Sequence, residues 1–222
     1  MGTNLTEKRE NMKTVYEKLQ NRLDAMATGF PKTKSKIEIK ILQQLFKENE
    51  AEIFLNLTPF LEKPENTALR LNLDIKEVSS ILETMAQKGL LFRLRKPDSV
   101  SYAAVPFVVG IFEYQVNKLN KEISRDIQKY YDEGFSQSIM AYKHPPMRTI
   151  PVDKKLITEW PIAPYEDVEE IFDKQGKIAL LNCVCRTWGR LVDNDCNKPL
   201  ETCFYFGSHA DYFVENNVGR TG

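Results

Sequence analysis

Apolar residues repeat at helical spacing through the first part of the chain, and Gly and Pro separate the repeats. The first repeat runs from Met12 to Met26 and is ended by Gly29 and Pro31, which predicts an amphipathic N-terminal helix within residues 1–34. Because an apolar stripe of this kind must be buried, the helix either covers the domain that follows or pairs with its copy in a homodimer. We favour the first arrangement.

Residues 35–110 combine helical periodicity with one pair of strands. Asp74 and Glu77 form a capping-box-like start for the last helix of this region, and Gly89 supplies its C-terminal stop. The predicted order is helices at 37–46, 53–60, 67–73 and 74–88, then strands at 92–95 and 102–105. Helices followed by a hairpin in this order resemble a winged helix-turn-helix domain, which we assign to residues 35–110.

A winged helix raises DNA binding as a hypothesis. The charges on the exposed face of its last helix allow this hypothesis to be evaluated. The charges on that face cancel; the residues are Lys76, Glu77, Ser79, Ser80, Glu83, Thr84, Gln87 and Lys88. A protein that binds the phosphate backbone needs a surplus of Lys and Arg there. Only the hairpin is basic, through Arg93, Arg95 and Lys96. Since winged helices also serve as protein-contact modules, DNA is an alternative partner that we do not favour.

The next stretch predicts one long helix followed by a domain boundary. Apolar residues at helical spacing from Phe112 to Tyr130, ending before Gly134, predict a connector or dimerisation helix over 111–134. Five prolines then fall within 135–164, and we place the domain boundary there.

The C-terminal domain, residues 135–222, is predicted to be small and of α/β type. The pattern indicates a short strand at 147–152, a short helix at 164–176 and an apolar strand at 177–181 that runs directly into Cys183. The whole chain is therefore expected to be an α+β protein.

Composition narrows the classes of function. Lys plus Arg and Asp plus Glu both number 31, so the formal net charge is zero and does not favour nucleic acid or an anionic membrane as partner. The first thirty residues lack the apolar core of a secretory signal, and no apolar run reaches membrane-spanning length. The expectation is a soluble cytoplasmic protein without a membrane partner. Thiols are kept reduced in that compartment, so four cysteines favour metal or redox chemistry over two disulfides.

All four cysteines of the chain fall within one 21-residue stretch, at Cys183, Cys185, Cys196 and Cys203. Thiolates are soft ligands, and four of them on a short segment suit one tetrahedral zinc ion or one cubane iron-sulfur cluster. Structural zinc sites usually use cysteine pairs two to four residues apart, and bacterial ferredoxins use C-x-x-C-x-x-C. Neither pattern is present, so the spacing alone hardly favours either the zinc ion or the iron-sulfur cluster.

The surroundings favour the iron-sulfur cluster. Its net negative charge needs nearby cations, which Arg186, Arg190 and Lys198 supply. Apolar neighbours can shield the cluster from water; they are Val184, Trp188, Phe204, Tyr205 and Phe206. Zinc tolerates the same neighbours and stays the alternative.

The cysteine segment also resembles a known family. It reads IALLNCVCRTWGRLVDNDCNKPLETCFYF from Ile178 to Phe206, and it is similar to the cysteine segment of iron-sulfur (4Fe-4S) binding, ferredoxin-like proteins of anaerobic bacteria and archaea, in which a winged-helix region precedes it. The phrases Pro106-Phe107, Gly110 and Phe112-Glu113 are also similar. The resemblance implies that the four cysteines are cluster ligands, and it assigns no role to Arg186 and Pro199.

The resemblance further implies an electron-transfer function. Members of the family commonly continue into a C-terminal ferredoxin module with two C-x-x-C-x-x-C-x-x-x-C-P runs, whereas this sequence ends at Gly222; we expect a fragment of a longer protein or a shorter relative. The expected function is a one-electron carrier with a redox partner protein and no bond-making chemistry of its own. The alternatives are a redox-responsive winged-helix regulator and a zinc-stabilised scaffold.

Other candidate residues are better explained by ordinary roles. His209 could replace one thiolate, but a histidine on the polar face of a short helix is usually solvated. His144, followed by two prolines, indicates a loop. Carboxylates between the cysteines are typical of turns; they are Asp193, Asp195 and Glu201. Trp160 and Trp188 could stack on a ligand, although core packing is commoner.

Overall fold

The computed structural model describes residues 14–141 and 172–222, and its elements form a mixed α+β architecture. The helices are α1 (Val15–Asp24), α2 (Ile37–Leu45), α3 (Glu48–Leu55), α4 (Pro64–Leu71), α5 (Ile75–Lys88), α6 (Phe112–Tyr114), α7 (Lys121–Tyr130), α8 (Ser136–Met140), α9 (Val184–Leu191) and α10 (Gly207–Glu215). The strands are β1 (Phe92–Lys96), β2 (Ser99–Ala103), β3 (Ile178–Asn182), β4 (Glu201–Phe206) and β5 (Arg220–Thr221). The predicted α+β class is confirmed.

Some predictions fall outside the described residues. These are the start of the first helix at Met12, the strand at 147–152, most of the helix at 164–176, and the positions of His144 and Trp160. Within the two described ranges, none of the helices combines the length and the apolar character needed to cross a membrane.

The first helix, α1, packs on the domain that follows it. Thr14 begins the helix in a reciprocal capping box with Glu17, which satisfies two backbone N–H groups at the helix start. Tyr16, Leu19 and Leu23 are buried on one face, and the Tyr16 hydroxyl donates to the carbonyl of Phe46 over 3.0 Å. The apolar stripe is therefore buried within the same chain.

Helix α5 begins and ends where its sequence signals predict. The Asp74 side chain accepts hydrogen bonds from the backbone N–H groups of Lys76 and Glu77, and Gly89 ends the helix in the left-handed conformation at φ 77°. A Cβ atom at Gly89 would lie 2.8 Å from the Cβ of Tyr114, so the close approach of these two segments also requires glycine.

Strands β1 and β2 form an antiparallel hairpin directly after α5. A third segment joins this sheet edge, because Glu62 and Tyr102 form an isolated antiparallel bridge with backbone N–O distances of 3.0 and 2.8 Å. The Glu62 carboxylate also binds the guanidinium of Arg70 on α4, which ties that helix to the sheet.

The single helix predicted over 111–134 is wrong, because the chain turns between α6 and α7. The side chains of Gln115, Asn117 and Lys118 donate to backbone carbonyls of other segments, at distances of 2.6 to 3.0 Å. Asn120 then caps α7 by accepting from the N–H groups at positions 122 and 123. Side chains that bond elsewhere and a strong N-cap together favour a turn over a continuous helix.

The cysteine-bearing region shares its core with the N-terminal region. Strand β3 is central in a three-stranded antiparallel sheet of order β4-β3-β5, and α10 packs against it. The Tyr212 hydroxyl lies 2.9 Å from the carbonyl oxygens of both Ala86 and Leu91, and the ring of Phe213 contacts that of Tyr114 at 5.3 Å. Residues of both regions belong to one buried apolar cluster.

Candidate functional site

Strands β3 and β4 and the start of α9 position three of the four cysteines. Cys183 is the N-cap residue of α9, Cys185 lies in its first turn, and Cys203 pairs in register with Leu181 across the β3–β4 ladder. The N–H of Cys183 donates to the carbonyl of Leu200 over 2.8 Å, which holds the β3–α9 turn against the start of β4. The antiparallel pairing thus brings together thiols that are 20 residues apart in sequence.

The ionisation of these thiols shows that they interact. Burial first, and then the neighbouring Cys183, raises the pKa of the Cys185 thiol to about 11. Burial likewise raises the pKa of Cys203 to about 12, with contributions from a hydrogen bond and negative charge at Cys183 and from Cys185. Without a cation the Cys185 and Cys203 sulfurs are therefore neutral thiols at pH 7, whereas a bound metal ion would favour the thiolates.

Cys196 lies outside β3, β4 and α9. It is exposed in the loop 192–200, where Asp193 and Asn197 adopt left-handed conformations. Within residues 14–141 and 172–222, no group of three or more His, Cys, Asp or Glu has the arrangement of a metal site. The donor chemistry of the thiols fits a soft metal, but their arrangement among the described residues does not form a metal site.

Two arginines of α9 bind the loop that carries Cys196. Arg190 forms an ion pair with Asp195 at 3.1 Å and donates to the carbonyl of Lys198 over 3.0 Å. Arg186 donates to the carbonyl of Pro199 and, over 3.0 Å, to the hydroxyl of Thr202. Of the predicted charge-offsetting residues, Arg186 and Arg190 therefore bind this loop through their guanidinium groups, and Lys198 contributes its backbone carbonyl.

Three further candidates have structural partners. The His209 ring stacks on Phe92 at 4.4 Å, and burial lowers the pKa of its imidazole. Glu201 binds Arg220 through two hydrogen bonds of 2.8 Å. Trp188 donates its indole N–H to the carbonyl of Ser124 over 3.0 Å, which fastens α9 to α7.

Glu113 is a residue beside the thiols for which the sequence assigned no role. Its carboxylate accepts from the N–H of Gly110 over 2.7 Å, and it contributes to the raised pKa values of Cys185 and Tyr205. Burial raises the pKa of Glu113 despite the backbone donors. The bond holds a kinked segment in which Val109 is left-handed at φ 59°, a costly conformation for a β-branched residue. The sequence signal for Glu113 was that Gly110 and Phe112-Glu113 lie in the stretches for which a resemblance to ferredoxin-like proteins is predicted.

Comparison with known proteins identifies no relative of this chain. No protein-family model matches the chain, and neither a curated protein nor a solved structure matches it. The resemblance to ferredoxin-like proteins stays a prediction from the cysteine segment.

Proposed function

We propose that the chain binds one [4Fe-4S] cluster through Cys183, Cys185, Cys196 and Cys203 and passes single electrons to a redox partner protein. The observation that carries the proposal is the convergence of three thiols at one end of the β3–β4 pair. When bound, the cluster supplies one-electron chemistry that no side chain of the chain provides. Cluster binding requires the cysteines to rearrange, because the described residues include no group with the arrangement of a metal site.

The start of α9 favours anionic sulfur ligands. Cys183 and Cys185 lie where the first backbone N–H groups of the helix have no intrahelical partner and where the helix dipole is positive. These groups stabilise thiolates and the negative charge of a cluster. Arg186, in the same turn, adds a cation whose present bonds are to the loop that carries the fourth ligand.

We further propose that α4, α5 and the β1–β2 hairpin form a winged-helix domain that contacts protein and not DNA. Arg93 is only 2% exposed and lies between Glu83 at 2.6 Å and Glu215 at 2.7 Å. Arg95 binds the same Glu83 carboxylate at 2.7 Å. Because two of the three basic residues of the hairpin are already paired, less charge is left for phosphates, which supports the carrier over the redox-responsive regulator.

Anaerobic reconstitution of single-cysteine variants tests the ligand set. The full chain, treated with ferrous iron and sulfide and then desalted, is expected to gain a brown colour that dithionite bleaches. Cys183→Ser, Cys185→Ser, Cys196→Ser and Cys203→Ser are each expected to lose most of the bound iron. Thr202→Ser is the matched control, since it changes the neighbour of Cys203 and keeps the hydroxyl that Arg186 binds. Unchanged iron content in the cysteine variants would contradict the proposal.

A further inference from the structure

Six aromatic rings in a closed circuit line a cavity beside the start of α9. The cavity has a volume of about 350 Å³ and opens between α6, α7, α8 and α9. Each ring contacts the next with centroids 5.8 to 6.3 Å apart, and the last ring contacts the first, in the order Phe107, Phe112, Trp188, Tyr131, Phe135 and Tyr130. The aromatic lining is therefore continuous.

The angles between these rings favour a rounded ligand over a flat one. The ring planes of Phe112 and Trp188 meet at 86°, and those of Tyr130 and Phe107 meet at 84°. Rings at right angles form the corners of a box, which fits a compact group more closely than a flat ring. The wall is fixed on one side, because the Trp188 indole donates to the carbonyl of Ser124 over 3.0 Å. Tyr131 remains 39% exposed and gives the cavity a side open to solvent.

A carboxylate, Glu113, lines the same cavity without a cationic partner. It accepts from the N–H of Gly110 over 2.7 Å, and among the described residues the groups that lower its pKa are backbone N–H groups. Burial outweighs them and raises the pKa, so the negative charge is costly at this position. The described lining residues include no Lys, Arg or His. A cationic ligand would supply the counter-charge that Glu113 lacks.

The aromatic rings and the carboxylate favour the same sign of ligand charge. The faces of Trp, Tyr and Phe attract cations that lie within about 6 Å of the ring centroid, and aromatic cages bind quaternary ammonium groups in this way. A primary ammonium would have to pair three N–H donors beside a carboxylate that already accepts from a backbone N–H. A quaternary ammonium has no N–H donor and presents only methyl and methylene groups to the apolar lining.

We propose that this cavity binds a small quaternary ammonium compound, with its methylated nitrogen inside the aromatic circuit and beside Glu113. Pockets for small molecules usually measure roughly 300–1,000 Å³, so a cavity at the lower limit suits a compound of the size of choline. Charge complementarity excludes an anion from the same position. The proposal goes beyond electron transfer and does not depend on the cluster, because the groups that carry it belong to the chain itself.

Calorimetric titration of the full chain with choline tests the requirement for charge. The matched ligand is 3,3-dimethyl-1-butanol, in which carbon replaces the charged nitrogen and the shape is kept. We expect saturable binding of choline and binding of the neutral analogue at least about tenfold weaker. Glu113→Gln should weaken choline binding about tenfold and leave the neutral analogue unaffected. Asp132→Asn is the matched control, because it neutralises an exposed carboxylate next to Tyr131 that is not part of the lining.

The outcomes decide the proposal independently of the cluster. Equal affinities for choline and its neutral analogue, or no saturable binding of choline, overturn the quaternary ammonium site. Equal losses in the Glu113→Gln and Asp132→Asn chains do the same. Circular dichroism checks each fold; if Glu113→Gln does not fold, Tyr131→Leu decides, since loss of this ring should weaken binding of choline more than binding of the neutral analogue. Iron uptake is measured separately, so a chain that binds choline but no iron refutes only the cluster.

Discussion

Arg93 is expected to stabilise the fold by linking the hairpin to α10. Its guanidinium is 2% exposed and contacts one carboxylate from α5, Glu83, and one from α10, Glu215. The substitution Arg93→Met keeps most of the apolar stem and removes the charge. Breaking a buried ion pair by removing one partner costs about 3–5 kcal/mol. Since the two carboxylate side chains remain 27% and 33% exposed and can be rehydrated, we expect a loss near the lower limit, about 3 kcal/mol.

The matched control is Arg95→Met on the same strand. Arg95 binds the same Glu83 oxygen at 2.7 Å, but its side chain is 48% exposed, so its removal should cost only about 0.5 kcal/mol. Urea unfolding followed by circular dichroism measures both losses in the free energy of unfolding. Adding Glu215→Gln to Arg93→Met should recover part of the loss, because it removes a carboxylate without a partner. Equal losses for Arg93→Met and Arg95→Met would refute the link.

Three further results are expected. Val109→Gly should raise the free energy of unfolding by about 0.5–1 kcal/mol, because glycine adopts the left-handed conformation at this exposed position without the strain of a β-branched side chain. A lower free energy of unfolding, measured with urea, would contradict this. Tyr212→Phe should lower the free energy of unfolding by about 1–2 kcal/mol, because the Leu91 carbonyl loses its buried donor, whereas the Ala86 carbonyl keeps the N–H of Gly89. An unchanged melting curve would argue against that role. Burial raises the pKa of Glu83, but its hydrogen bonds and the nearby arginines lower the pKa overall. The contribution of Glu83 to stability is therefore complete above the ordinary value of 4.5 and is lost as pH falls through the lowered pKa. Glu83→Gln should flatten this part of the acid unfolding curve.

Local signals predicted the elements that are determined locally. Asp74 and Gly89 mark the ends of α5 because a side-chain cap and a left-handed glycine act within one turn. The turn before α7 was missed because it depends on bonds from Gln115 and Lys118 to carbonyls of distant residues, while the apolar spacing continues through it. Periodicity cannot distinguish a helix from a turn whose side chains are bonded elsewhere.

The sequence predicted which cysteines could form a site, but it did not predict how the chain arranges them. The spacing of the cysteines indicated a soft-metal site, yet Cys203 approaches Cys183 only through the register of β3 and β4. Arg93 was expected in a basic hairpin, and its partner Glu215 lies 122 residues away in sequence. Glu113 depends on the left-handed conformation of Val109, which the intrinsic preferences of valine oppose. Long-range pairings of this kind leave no local pattern.

Elemental analysis of the full chain tests the central claim, the iron-sulfur cluster, most directly. The chain is purified without oxygen, and iron, acid-labile sulfide and zinc are measured against protein concentration. The cluster predicts four irons and four sulfides per chain, together with visible absorption that dithionite bleaches. One zinc ion per colourless chain, with no sulfide, would contradict the cluster and favour the zinc-stabilised scaffold.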